Sequence, residues 1–174
     1  MNPPTKTEVS SVELDPMPSE IGYDDVKEWL DESILEEVEQ RPTRDAQFRF
    51  LVRVSGYDLT VYKERREGPL RVGTRMQFPA GSLSTLITRD ADRRHLASLF
   101  SSVLTNVSGT YSPVDGDGEP TTLEEMEALT IDSLIYPDGA GQDRLMNQIL
   151  EVGTAAAFVN DMIEMFDDNL QDQA

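Results

Sequence analysis

Residues 48–78 read FRFLVRVSGYDLTVYKERREGPLRVGTRMQF and contain three segments in which apolar and polar side chains alternate. Alternation is the period of a β-strand, because successive side chains point to opposite faces of a sheet. The segments are joined by short connections around Gly56 and at Glu67-Gly68-Pro69, residue types that favour turns. We therefore predict three antiparallel strands in a meander with one buried face.

The flanking sequence predicts helices and two further strands. A helix is expected from Asp24 or Asp25 to about Pro42, because apolar side chains recur there on one helical face, at Val26, Trp29, Leu30, Ile34 and Val38. Further helices are expected near 90–107 and 142–169, with a weak strand at the start of 108–127 and a strand near 129–136. The sequence of residues 82–89 is compatible with either a helix or a strand. The order α-β-β-β-α-β-β-α predicts an α+β domain, residues 23–170, with an antiparallel sheet and helices on one side.

Residues 1–22 differ from this domain in composition. They contain four prolines among acidic and serine residues and few apolar ones. Such a segment buries too little apolar surface to offset the entropy of ordering. A mobile acidic tail is therefore predicted.

The whole chain of 174 residues carries 33 acidic and 15 basic side chains, a net charge of −18, and only three lysines. An acid-rich, lysine-poor composition suits molar salt, where a Debye length of about 3 Å screens self-repulsion. The absence of cysteine excludes disulfides and thiolate metal sites. No signal-peptide pattern and no apolar run of about 20 residues is present. We therefore expect a salt-adapted cytoplasmic protein that does not enter a membrane.

The sequence contains candidate catalytic and metal-binding residues, but it does not show the accompanying residues that such sites require. His95 is the single histidine, and no group can be named that would orient it as a general base. A calcium loop beginning at Asp115 would need Gly at its sixth position and Glu at its twelfth, where the chain has Pro120 and Met126. Gly153 and the alanines that follow it predict close packing of a helix. We expect no catalytic residue, no cofactor and no metal.

The basic residues are concentrated in the predicted sheet. Residues 41–95 carry twelve basic and six acidic side chains, a net charge of +6, between acidic flanks. Alternation places four arginines on the outward face of the meander, with Tyr62 among them: Arg49, Arg53, Arg71 and Arg75. Arginine suits carboxylate recognition, so these five residues are candidate partner-binding residues. They could equally pair with Glu64, Glu67 and the acidic helices of the same molecule.

The last helix carries an apolar stripe with alternating spacings of four and three residues. It consists of Leu145, Ile149, Val152, Ala156, Val159, Ile163 and Phe166. A stripe of this kind packs against another helix or a sheet. It predicts either a homodimer contact or packing within the molecule.

The predicted element order and three segments resemble a family of small archaeal proteins of unknown function with a type III secretion chaperone-like fold. The segments are Val26-Lys-Glu-Trp-Leu30, Phe48-Arg-Phe-Leu-Val52 and Ile135-Tyr-Pro-Asp-Gly139. The resemblance covers about residues 23–168. It implies a homodimer that holds an extended or partly folded segment of a partner protein, and it implies no catalytic residues.

These observations together favour a non-enzymatic protein-binding module. We expect a dimeric chaperone or adaptor that holds an acidic or amphipathic segment of another protein. A regulatory protein that binds nucleic acid through the basic sheet is the alternative, although the aromatic pattern of an RNA-binding sheet is missing. An enzyme with unrecognised carboxylates is a third possibility.

Overall fold

A computed structural model describes residues 20–79, 90–105 and 107–171, together with Leu83 and Ile87. The α-helices in these ranges are α1 (Tyr23–Trp29), α2 (Asp90–Leu104) and α3 (Gln142–Gln171). The strands are β1 (Glu37–Gln40), β2 (Phe48–Val54), β3 (Tyr57–Lys63), β4 (Leu70–Gln77), β5 (Gly109–Val114) and β6 (Ala128–Ile135). A single 3-10 turn, Pro137–Gly139, leads from β6 to α3. The protein is therefore of the α+β class.

The six strands form one antiparallel sheet in the order β1-β2-β3-β4-β6-β5. Strands β2 to β4 are the predicted meander, and the turn between β2 and β3 places Ser55 and Gly56 at positive φ. The chain then leaves the sheet for α2 and returns with β5 and β6. Since β6 pairs with β4, the late strands complete the sheet that the meander begins.

The long helix α3 packs across one face of this sheet. Five of its predicted stripe residues are buried, with no more than 2% of their surface exposed: Leu145, Ile149, Val152, Ala156 and Val159. Ile163 is half-buried, and the side chain of Phe166 lies outside the described part of the chain. The stripe packs against the sheet of the same molecule, which is the second of the two arrangements that the sequence predicted for it.

Gly153 explains how α3 comes so close to the sheet. A Cβ atom at this position would lie 2.5 Å from Cγ1 of Val54, at the end of β2. Such a distance is far below van der Waals contact, and only glycine avoids the clash. The sequence prediction of close packing around Gly153 is therefore confirmed.

The first helix is shorter than predicted. It ends at Trp29 rather than near Pro42, because the Asp31 carboxylate accepts hydrogen bonds from the backbone N–H and hydroxyl of Ser33, at 2.9 and 2.6 Å, and forms a turn. These bonds lower the pKa of Asp31. The following residues join the sheet as β1. Ile34, which was expected on the buried face of the helix, is 49% exposed.

The cap of this helix also differs in detail from the prediction. Gly22 occupies the N-cap position, and its backbone N–H donates to the Asp25 carboxylate at 2.7 Å. Tyr23, in the first turn, stacks on Phe50 with ring centroids 5.3 Å apart. These contacts hold α1 over β2, on the same side of the sheet as α3.

The start of the described chain is packed against the body. Ile21 is 1% exposed, and its carbonyl accepts a 2.6 Å hydrogen bond from Nζ of the buried Lys63. Burial lowers the pKa of Lys63, and the carboxylates of Glu20 and Asp25 partly offset that effect. Residues 1–19 of the expected tail lie outside the described residues, but Ile21 belongs to the core.

Candidate binding surface on the open sheet face

The face of the sheet opposite α1 and α3 carries the residues that the sequence analysis singled out. We call it the arginine face and define it by Arg49 and Arg53 on β2, Tyr62 on β3, and Arg71 and Arg75 on β4. Their neighbours on the strands, such as Phe50, Val61 and Val72, point to the core. Strand alternation therefore brings all five predicted residues to one surface.

Three of these residues form a row across neighbouring strands. Tyr62 pairs in register with Arg49 on one side and with Arg71 on the other. The guanidinium carbon of Arg49 lies 5.5 Å from the centroid of the Tyr62 ring, which is a cation–π contact. The row continues to Leu134 on β6, the register partner of Arg71.

Arg49 has an unusual environment for a cation. Its Nε atom is buried and makes no hydrogen bond, and no acidic group among the described residues lies within 4.0 Å of its guanidinium. A buried donor without an acceptor costs about 1–3 kcal/mol. The face thus holds a positive charge that the described chain does not neutralise.

Arg53 is, by contrast, paired on both sides. Its Nε donates to Asp58 at 2.7 Å, and its Nη1 lies 3.1 Å from Glu37. Both acids are its register partners on the adjacent strands. The hydrogen bond and charge of Asp58 raise the pKa of Arg53 further. Arg53 is therefore held by the sheet itself.

Arg71 lies between two acidic groups. Its Nε is 3.8 Å from Glu64, a long ion pair. Asp132 on β6 lies across Gly73, where a Cβ atom would come within 2.3 Å of its Oδ1. Burial raises the pKa of Asp132, and the charge of Arg71 opposes that rise. Burial and the Asp132 charge also raise the pKa of Tyr62.

Arg75 is exposed on β4 opposite Thr130 and, within the described residues, makes no ion pair. The acids that do neutralise this face come from its own strands and turns, through Glu37, Asp58 and Glu64. The expected pairing with Glu64 is therefore present. Among the described residues, none of these arginines pairs with an acid of the helices, because α1 and α3 pack on the other face. Within the described residues, neither Arg49 nor Arg75 makes an ion pair.

Three acidic residues of this face were missed by the sequence reasoning: Glu37, Asp58 and Asp132. Glu37 was assigned to a helix, and Asp132 was one acid among 33. Only the strand register places Asp132 beside Gly73 and near Tyr62. The sequence analysis predicted a strand near 129–136, but it did not give the neighbouring strand on which Asp132 finds its contacts.

The other candidate groups stay apart from this surface. His95 is exposed on α2. The Asp115 carboxylate accepts hydrogen bonds from the backbone N–H groups of Asp117 and Glu119, at 3.0 and 2.9 Å, so it closes a turn. In the described parts of the chain, no three His, Asp or Glu side chains are placed to hold a metal ion. No helix there is long and apolar enough to cross a membrane.

Comparisons with known proteins bear on the fold. The chain is similar to the crystal structure of an uncharacterized protein from Methanothermobacter thermautotrophicus, with a TM-score of 0.64 and 16% sequence identity. The match covers 82% of this chain and 96% of that one. No protein-family model and no curated protein matches. The fold is therefore shared with an archaeal protein, and at this identity the likeness extends to the fold alone.

Proposed function

We propose that this protein is a non-enzymatic protein-binding module, a chaperone or adaptor, that holds an acidic segment of a partner protein on the arginine face. The observation that carries the proposal is Arg49, a cation whose buried Nε makes no hydrogen bond and which has no acid within 4.0 Å among the described residues. A carboxylate of a partner would provide the negative charge and the hydrogen-bond acceptor that the described chain does not place beside the Arg49 guanidinium.

The residues around Arg49 suit a peptide segment. Tyr62, Leu51 and Leu134 are half-buried and offer apolar contact area between the cations. Arg49 and Arg71 flank Tyr62 from strands β2 and β4, and Arg75 lies four residues beyond Arg71 on β4. Carboxylates of one segment lying across these strands could therefore meet more than one guanidinium group. Electrostatic matching of this kind sets the orientation and speed of binding more than its strength.

The finer parts of the proposal follow from the resemblance and the composition. We place the protein in the type III secretion chaperone-like fold class and propose that it acts as a homodimer in a salt-rich cytoplasm. The α3 stripe is covered by its own sheet, so a dimer would have to use another surface.

Nucleic acid is the second candidate partner, because residues 41–95 carry a net charge of +6. Tyr62 is the aromatic residue that could stack a base on this face. However, the Arg49 guanidinium already lies over its ring. This contact favours a carboxylate partner over a stacked base.

Affinity capture tests the proposal. The wild-type protein and the Arg49→Gln/Arg71→Gln variant would be used as baits in native extract at the host's working salt, with nuclease-treated and untreated samples. We expect defined proteins with acidic segments to bind the wild type and to be lost from the variant. Capture that disappears after nuclease treatment would support the nucleic-acid alternative instead.

A further inference from the structure

A second surface lies on the other side of the molecule, along the outer side of α3. Leu150, Thr154 and Phe158 are spaced by four residues, so they share one side of the helix. This side faces away from the stripe that packs on the sheet. Leu150 is 37% exposed and Phe158 is 54% exposed, which is unusual for two large apolar side chains so close together.

These residues line a groove of ≈ 450 Å³. Ser102 of α2 and Val107 form the opposite wall, and the buried Ala155 contributes a small side chain to the floor. Cavities of roughly 300–1,000 Å³ with mainly apolar walls are typical of binding sites. Isolated exposed apolar residues need no explanation, but a set that lines one groove does.

The groove has a fixed wall. Glu151 accepts hydrogen bonds from Nε2 of Gln148 at 2.9 Å and from the backbone N–H of Ser108 at 3.4 Å. Gln148 is buried and also accepts a hydrogen bond from the hydroxyl of Ser133 on β6. This chain of bonds ties α3 to β6 and to the residue before β5, and it fixes the position of the Glu151 carboxylate in the groove.

The charge around the groove indicates the charge of the partner that it would bind. Glu151 lies in the groove, and the exposed Asp161 and Glu164 follow on α3 beyond Phe158. Residues 96–174 as a whole carry fifteen acidic side chains and one basic one. A cationic partner is therefore attracted to this side of the molecule, just as an acidic one is attracted to the arginine face.

The walls of the groove favour a helical partner segment over an extended one. Two helices and a loop offer side chains but no row of backbone hydrogen-bond partners, so an extended strand would bury unpaired N–H and C=O groups. A helix satisfies these groups internally. The groove follows α3 from Asn147 to Phe158, which is about 16 Å or three helical turns.

We propose that this groove binds the apolar face of a basic amphipathic helix from a partner protein. The site adds a second surface to the proposed protein-binding function and rests on that function only for the class of partner. A molecule with an arginine face on one side and an acidic, apolar groove on the other could hold two oppositely charged segments at once.

Designed peptides test this inference by fluorescence anisotropy at the lowest KCl concentration that leaves the protein folded. One labelled peptide has leucines on one helical face and lysines elsewhere; a second has glutamates in place of the lysines, and a third is a scrambled lysine peptide. We expect the first to bind at least about tenfold more tightly than the other two. Equal binding of the amphipathic and scrambled lysine peptides would overturn the inference.

Variants locate the site. Leu150→Ala/Phe158→Ala is expected to weaken binding of the amphipathic lysine peptide at least about tenfold, whereas Ile34→Ala, an exposed apolar control outside the groove, is expected to leave it unchanged. Arg49→Gln/Arg71→Gln should also leave it unchanged, which separates this site from the arginine face. If the alanine pair fails to fold, a photo-reactive residue on the peptide's apolar face decides the matter. Cross-links to residues 147–158, Ser102 or Val107 support the groove, and cross-links elsewhere contradict it.

Discussion

The two faces of the sheet are built from the same strands but differ in how their side chains are satisfied. On the covered face, Phe50, Val52 and Leu59 are at most 2% exposed and meet α1 and α3. On the arginine face, Arg53 is paired twice while Arg49 keeps a buried nitrogen without a partner. The covered face is therefore satisfied by apolar packing, whereas the arginine face leaves a buried donor without an acceptor in the described part of the chain.

Salt concentration is expected to have the largest effect on the stability of the whole domain, which includes both faces of the sheet. The net charge of −18 repels itself over a Debye length that rises from about 3 Å in molar salt to about 10 Å at 0.1 M. We expect the thermal transition to fall markedly or lose cooperativity as KCl is lowered over this range. A melting temperature that does not change would refute the salt-adaptation proposal.

Two adjacent residues of α3, one buried and one exposed, should differ strongly in how much stability is lost when each is replaced by alanine. Ile149 is 0% exposed and Leu150 is 37% exposed. Ile149→Ala removes buried methyl groups and leaves a cavity, so it should lower the free energy of unfolding by about 2–5 kcal/mol. Leu150→Ala should cost less than about 1 kcal/mol. Equal losses in denaturant unfolding would mean that α3 does not present these faces as described.

The close approach of α3 to the sheet can be tested by adding one methyl group. In an open helix, Gly→Ala usually stabilises by about 1 kcal/mol. At Gly153 the new Cβ would meet Val54 at 2.5 Å, so Gly153→Ala should instead destabilise by about 1–3 kcal/mol. Gly139→Ala, which meets nothing within 4 Å, is the matched control. A stabilised Gly153→Ala protein would contradict the packing.

The buried carboxylate on the arginine face predicts a smaller, pH-dependent effect. Because burial raises the pKa of Asp132 in the folded state, the folded protein holds this proton more tightly than the unfolded chain does. Stability is therefore lost as pH rises from the ordinary aspartate pKa of about 3.9 through the raised value. Asp132→Asn should be more stable than the wild type at pH 7, and the gain should shrink towards pH 4. A gain that is absent at pH 7 would show that Arg71 outweighs burial.

Much of the architecture was predictable because its signals are local. Alternation in residues 48–78 gave β2 to β4 and placed Arg49 and Arg71 on one face, and the apolar spacing gave α3 and its buried stripe. The strand β1 was missed because Ile34 and Val38 have helical spacing, while the pairing of Glu37 with Arg53 is a long-range contact. The Asp132 contact and the groove at Phe158 likewise depend on register and helix placement, which periodicity does not contain.

The arginine pair should matter least for stability. Arg71 has one ion pair at 3.8 Å and Arg49 has none in the described chain, and exposed pairs contribute only about 0.2–1 kcal/mol. Arg49→Gln/Arg71→Gln should therefore lower the free energy of unfolding by less than about 1 kcal/mol, and removing the unpaired Nε of Arg49 acts in the opposite, stabilising direction. A larger loss in denaturant unfolding would mean that these arginines serve the fold.

Titration of a glutamate-rich peptide tests the central claim most directly. Its binding would be compared for the wild type, Arg49→Gln/Arg71→Gln and Arg93→Gln/Arg144→Gln, a control that removes the same charge from helices α2 and α3. We expect the first variant to bind at least about tenfold more weakly than the wild type, and the control to bind within about twofold of the wild type. Equal affinity of the two double variants would contradict a site on the arginine face.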